Sequence, residues 1–190
     1  RIIIAKNDAT DGTKSNMYWG KYLWEKNVAG ITNIGTGTGY LPKADGTYQS
    51  TPNLSADYTT WTSGGLSDFN GKTNTAAIIT AYTEHAVEMN TRDMCSALNT
   101  FNSSDAYDDW YVPACGQLAL IYLNLTEINE ALTAIGGTAY STSYWYWSSS
   151  EYSSNNGWLM YFNYGYVSSS NKSNSNRVRF VRDYNEKDFG

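Results

Sequence analysis

Between Tyr152 and Arg177 the chain interleaves strand-anchoring residues with residues suited only to stacking and hydrogen bonding, and this limits the folds open to it more than any other feature. Asn, Ser and Tyr fill 17 of these 26 positions, a bias that on its own signals a disordered tail. Trp158, Met160, Phe162, Gly165, Val167 and Val178 interrupt it at intervals. From Tyr144 onward the period is two. Trp158, Met160 and Phe162 then fall on one face and Leu159, Tyr161 and Asn163 on the other, which predicts a half-buried strand. Gly165 predicts a turn, and Arg177-Val178-Arg179-Phe180-Val181-Arg182 alternates again as a closing strand. Tyrosine supplies stiff contact area and Ser and Asn supply adaptable hydrogen bonding, so the segment reads as a folded display surface.

The rest of the chain supplies the scaffold. With 190 residues and no Pro/Gly/Ser linker between apolar-rich halves, a single domain over 1–190 is expected. Residues 1–70 read as an irregular β region, with a short strand at Ile2-Ala5. One or two helices are expected between 75 and 99. Trp110-Tyr111-Val112-Pro113 reads as a short buried strand, and Leu118, Ile121, Tyr122 and Leu125 mark an amphipathic helix. Periodicity restarts at Thr126-Leu132 and stops at Gly136-Gly137. Residues 144–184 form the Asn/Ser/Tyr-rich C-terminal region and closing strand. The order is irregular β, helices, antiparallel β, an α+β class.

A formal charge of -5 and a pI near 4.8 exclude nucleic acid as a partner, which needs a basic face to displace counterions. Lys172, Arg177, Arg179 and Arg182 make the tail locally basic, so the two ends of the molecule are expected to carry opposite potentials. No run of 18 apolar residues exists, which excludes direct membrane insertion by a helix. The N-terminus Arg1-Ile2-Ile3-Ile4 has neither an initiator Met nor the length of a signal peptide, so the sequence reads as a piece of a longer or trimmed chain. Cys95 and Cys115 are two cysteines that could pair or stay free.

Four stretches carry a family resemblance: Asp68-Phe69-Asn70-Gly71-Lys72-Thr73-Asn74-Thr75-Ala76, Asp109-Trp110-Tyr111-Val112-Pro113, Trp147-Ser148-Ser149-Ser150-Glu151-Tyr152 and Arg177-Val178-Arg179-Phe180-Val181-Arg182. In this order they resemble the variable proteins of diversity-generating retroelements, over roughly residues 65–184. The resemblance implies a C-type lectin-like fold in the branch shared with formylglycine-generating enzyme. It also implies that adenine-directed mutagenesis scatters AAC-type codons toward Asn, Tyr, Ser and Asp. Trp158, Met160, Phe162, Gly165 and Lys172 match positions held fixed in that family. Cys115 and Gly116 depart from its usual small polar residues after the Pro.

On this reading the ligand-binding, diversified positions are Tyr152, Ser154, Asn155, Asn156, Leu159, Tyr161, Asn163, Tyr164, Tyr166, Ser168, Ser169, Ser170, Asn171, Ser173, Asn174, Ser175 and Asn176. The partner is a protein or glycan ligand on a target surface, met from a virion tail or a microbial cell surface, with no catalysis, cofactor or metal. Two other readings are a formylglycine-generating-type enzyme and a fixed adhesin or fibre module. The single histidine, His85, reads as a solvated helix residue, which excludes multi-His metal sites. Asp105, Asp108 and Asp109 lack EF-hand spacing for calcium. Gly35-Thr36-Gly37-Thr38-Gly39 is not a dinucleotide fingerprint. Trp110, Trp145 and Trp147 are expected in the core. Arg179 and Arg182 are expected to tie the closing strand to loop backbone rather than clamp a ligand.

Overall fold

A computed structural model describes residues 1–32, 35, 37–41, 58–61 and 64–189. Part of the irregular N-terminal region, with Thr36 of the Gly/Thr run, lies outside the described residues. In chain order the elements are β1 (Ile2–Ile4), β2 (Met17–Tyr18), β3 (Gly39–Tyr40), α1 (Gly71–Glu84), α2 (Met94–Ser104), α3 (Cys115–Leu123), α4 (Leu125–Ala134), β4 (Trp145–Glu151), β5 (Asn156–Tyr161), β6 (Tyr166–Asn171), β7 (Ser175–Asn176) and β8 (Val181–Asp183). This is the α+β order read from the sequence, with four helices between β-rich ends.

The expected helical region resolves into α1 and α2. Helix α1 starts at Gly71, before the expected start at 75, because the buried Asp68 organises its first turn. One Asp68 oxygen accepts the Asn70 N–H at 2.9 Å and the other accepts from Asn74 Nδ2 at 2.7 Å. Helix α1 ends at His85, which is half-buried with Nε2 2.8 Å from the Asn27 carbonyl. His85, read as a solvated helix residue, caps the C-terminal end of α1 and is partly exposed.

The antiparallel sheet runs in the order β3-β6-β5-β4, with β1 paired to β8 and β2 to β7. The sheet is covered on both faces. On one side Trp147 and Leu159 join a core with Trp19, Ile78, Leu98 and Phe180. On the other, Tyr146, Trp158, Met160 and Val167 join Leu66, Leu118 and Ile121. Full burial of such an apolar side chain contributes roughly 1.5–3 kcal/mol. The N-terminal segment supplies the first cover: Trp19 Nε1 donates to the Ser148 carbonyl at 2.8 Å and Trp147 Nε1 to the Met17 carbonyl at 2.9 Å. A Cβ on Gly157 would overlap the Trp19 ring, which is why a glycine interrupts β5.

This double covering corrects one sequence reading. Leu159 is 3% exposed in the core beside Trp147, so it is not a ligand-contacting side chain. The half-buried strand inferred from alternation is buried on both faces over residues 157–160.

The basic tail is also internal. Arg179 Nε donates to Asp8 at 2.7 Å and its guanidinium to the Thr138 carbonyl at 2.6 Å, while Arg177 reaches the other Asp8 oxygen at 3.0 Å. Arg182 Nε donates to Asp109 at 2.6 Å. Lys172 pairs with Glu151, both side chains at 0% exposure. The four tail cations thus share three acids, Glu151, Asp8 and Asp109, with Arg177 and Arg179 both on Asp8, so most of the basic charge is compensated locally. Cys95 and Cys115 are free and buried, in cores on opposite faces of the sheet. Among the described residues no helix is long and apolar enough to cross a membrane.

Candidate functional site

The register of the sheet collects four aromatic side chains from four strands into one line. Trp145 on β4 lies opposite Tyr161 on β5, Tyr161 opposite Tyr166 on β6, and Tyr166 opposite Tyr40 on β3. Directly opposed residues share a face of the sheet, so the line crosses the strands at right angles. Trp145 and Tyr161 stack with centroids 5.1 Å apart and planes at 27°. Tyr166 stands nearly perpendicular to Trp145 (88°, 6.3 Å) and to Tyr40 (86°, 5.1 Å). Tyr164, from the turn joining β5 to β6, closes the circuit by touching Tyr161 at 5.5 Å and Tyr40 at 6.5 Å. It is 44% exposed, and the other four rings are half-buried.

This aromatic row sits where the Trp19 cover of the sheet ends. One residue row further along, Trp147 and Leu159 are buried beneath that cover. The turn is locked from the far side: Gly165 has φ +64°, and a Cβ there would overlap the Tyr122 ring of α3. Among the described residues, no hydrogen bond engages the hydroxyls of Tyr40, Tyr161, Tyr164 and Tyr166 or Trp145 Nε1. Five polar groups on a stiff apolar base therefore remain available to a ligand.

The other end of the β5-β6 hairpin is different. Asn156 pairs with Asn171 five residues from the row, about 17 Å along the strands. Here the polar side chains bond to one another. Asn171 Oδ1 accepts from the N–H and hydroxyl of Ser173 (2.9 and 2.7 Å), Asn174 Nδ2 donates to Ser170 Oγ at 3.0 Å, Asn156 Nδ2 to Ser169 Oγ at 3.4 Å, and Ser154 Oγ to Asn155 at 3.2 Å. Tyr152 leans its ring on Trp158 at 5.1 Å. Ser175 and Asn176 form β7 against Tyr18 and Met17.

Beneath this end lies the buried ion pair. Lys172 Nζ also donates to the Lys26 carbonyl at 2.7 Å and rests 4.6 Å above the Trp19 ring, while Glu151 accepts the Val28 N–H at 3.2 Å. Burial raises the Glu151 pKa and lowers that of Lys172, in each case outweighing the attraction of the partner.

The structure therefore divides the sequence-read site. Tyr161, Asn163, Tyr164 and Tyr166 gather at the aromatic end. Tyr152, Ser154, Asn155, Asn156, Asn171, Ser173 and Asn174 gather at the polar end, with Ser168, Ser169 and Ser170 along β6 between them. Ser168 and Ser170 face the aromatic side, opposite Leu159 and Gly157, and Ser169 faces away, opposite Trp158. Sequence reasoning missed Tyr40 outright, while Trp145, expected in the core, is partly buried and packs against its edge. Of the three aspartates weighed for calcium, Asp109 is engaged by Arg182 and Asp105 by the Tyr107 N–H and Trp110 Nε1; among the described residues no cluster of three or more His, Cys, Asp or Glu could hold a metal ion. Burial raises both cysteine thiol pKa values, which keeps them protonated and unreactive.

Comparison with known proteins agrees with this architecture. The family model described as the Lcl C-terminal domain matches residues 13–182. A crystal structure of a fimbrial protein from Bacteroides ovatus shares the fold with a TM-score of 0.59 at 15% identity, over 96% of this chain and 35% of that one. The chain thus spans about a third of that protein's length. No curated protein matches the sequence. The fold class is α+β and C-type lectin-like, as the resemblance implied.

Proposed function

The chain belongs to the Lcl C-terminal domain family, and on that footing we propose that it is a ligand-binding protein, acting as one domain without catalysis, that holds its partner on the aromatic end of the β5-β6 hairpin. The observation that carries this reading is the row of Trp145, Tyr161, Tyr166 and Tyr40 with Tyr164 at its rim. It presents large rigid rings and five polar groups with no partner among the described residues, on a sheet packed from both sides. Rigid aromatic anchors lose little entropy on binding. The protonated, buried thiols of Cys95 and Cys115 speak against the enzymatic reading. The partner is a surface ligand, met from a virion tail or a microbial cell surface.

The Asn/Ser/Tyr composition of 152–176, with Leu159 excluded by its burial, supports diversification of this surface by a retroelement. Two experiments test the reading. Tyr161→Ala with Tyr164→Ala weakens ligand binding by about a hundredfold while the melting temperature is kept; parallel loss of both means the rings serve the fold. Sequencing the coding region across its source population finds substitutions at adenine-containing codons between 152 and 176 and a near-copy template nearby. An invariant segment without a template favours the fixed adhesin.

A further inference from the structure

Tyr40 and Trp145 lie outside the Asn/Ser/Tyr-rich segment, yet they form the two ends of the aromatic row and close its circuit through Tyr164, Tyr161 and Tyr166. We propose that Tyr40 and Trp145 are constant ligand-contacting residues, and that the group received on the row is a neutral saccharide lying across the strands. This rests on the ligand-binding reading of the row.

Three features of the row select that chemistry. First, it is uncharged. Among the described residues no ion pair or cation–ring contact reaches any of the five rings, so an acidic or basic group placed there loses hydration without gaining a counter-charge. Second, it lies on the face of a paired sheet. Tyr161 and Tyr166 are paired on both sides in the ladder, so at the centre of the row a peptide finds no open backbone to pair with, and strand addition is closed there. Third, what the row does offer is ring surface bordered by hydroxyls. An aromatic face is electron-rich and attracts the polarised C–H groups on the apolar side of a pyranose, while tyrosyl hydroxyls both donate and accept, as sugar hydroxyls do.

The dimensions agree. Three interstrand steps of about 4.8 Å make the row about 14 Å long, room for a short oligosaccharide rather than one isolated sugar. Because Tyr166 is turned 88° and 86° to its neighbours, the row is corrugated. Tyr40 meets the Tyr166 ring edge-on from one side and Trp145 from the other, so these two rings are the outer walls of the row. Substitution at 161, 164 or 166 would then change which saccharide fits while both outer walls persist.

The test applies the intact protein to an immobilised array of neutral and acidic oligosaccharides and to a displayed random-peptide library. The strongest neutral saccharide is then titrated against Tyr40→Phe, Tyr40→Ala and Trp145→Phe. We expect capture of a neutral saccharide, about tenfold weaker binding for Tyr40→Ala, a smaller loss for Tyr40→Phe, which lacks only the hydroxyl, and unchanged melting temperatures. Unchanged affinity in both Tyr40 variants overturns the assignment of Tyr40, and unchanged affinity in Trp145→Phe that of the Trp145 contact. Capture confined to acidic saccharides or to peptides overturns the ligand class; if that capture is still lost in Tyr161→Ala/Tyr164→Ala, the row remains a binding surface and only its saccharide identity fails. No capture from either collection overturns the proposal as a whole.

Discussion

The two ends of the β5-β6 hairpin are built from the same biased residue set and do opposite things with it. At the Tyr161-Tyr166 end the rings touch each other while their hydroxyls find no partner among the described residues; at the Asn156-Asn171 end the side chains spend their hydrogen bonds on one another. A polar group already bonded within the protein gives little net gain on changing partners, whereas an available hydroxyl on an anchored ring gives its full bond. Composition therefore does not measure binding capacity. What measures it is how many polar groups the fold leaves without internal work.

Several substitutions break or sharpen this contrast. The largest effect is expected beneath the polar end. Lys172→Met leaves Glu151 buried without its counter-charge and costs about 3–5 kcal/mol, read by denaturant unfolding, while adding Glu151→Leu recovers most of the loss. A single variant within about 1 kcal/mol of the parent would show that the pair does not hold this end.

At the aromatic end, Gly165→Ala combines a left-handed backbone with overlap on Tyr122, for a cost of about 2–4 kcal/mol in the same measurement. Tyr161→Ala/Tyr164→Ala should weaken ligand binding by about a hundredfold with little loss of stability. A fall in melting temperature that tracks the affinity reverses the assignment.

The acid limb of stability distinguishes scaffold from hairpin. The hydrogen bond from Arg182 holds the Asp109 carboxyl below its usual pKa. That contribution is therefore present above the ordinary carboxylate range and is lost as pH falls through the lower, folded value. Asp109→Asn should flatten unfolding against pH on the acid side and leave ligand binding unchanged. The smallest effect is expected for Ser170→Ala with Asn174→Ala, within about 0.5 kcal/mol of parent stability and without measurable loss of affinity. A large loss of affinity there would erase the distinction between the two ends.

How much of this was legible beforehand follows from the range of each signal. The helices, the turn at Gly165 and the structural role of Arg179 and Arg182 rest on local periodicity and composition, and they appear; the closing strand read over 177–182 is shorter, with only a bridge at Arg177 and a strand at Val181–Asp183. Trp158, Met160 and Phe162 sit in the core as their period of two predicts. Leu159 misled because alternation reports one covered face, and the second cover arrives from Trp19, 140 residues earlier in the chain. Tyr40 was invisible for a related reason. It stands in a Gly- and Thr-rich stretch without periodicity, and only the pairing of β3 with β6 brings it beside Tyr166. Trp145 packs against the core as its apolar neighbours suggest, but only in part, because it is the first residue of its strand.

The buried Lys172–Glu151 pair also governs which hairpins can exist at all. Lys172 follows directly on β6, and its backbone N–H is tied to the Asn155 carbonyl while its own carbonyl accepts from Gly20. A one-residue slip of the hairpin turns every side chain to the other face; it would place a serine or asparagine where the ammonium belongs and strand the carboxylate. A hairpin misaligned in this way carries the penalty of a buried, uncompensated carboxylate, about 3–5 kcal/mol. The lock is indifferent to the identity of the side chains at 161, 164 and 166, so it filters alignment while leaving the exposed text free to be rewritten.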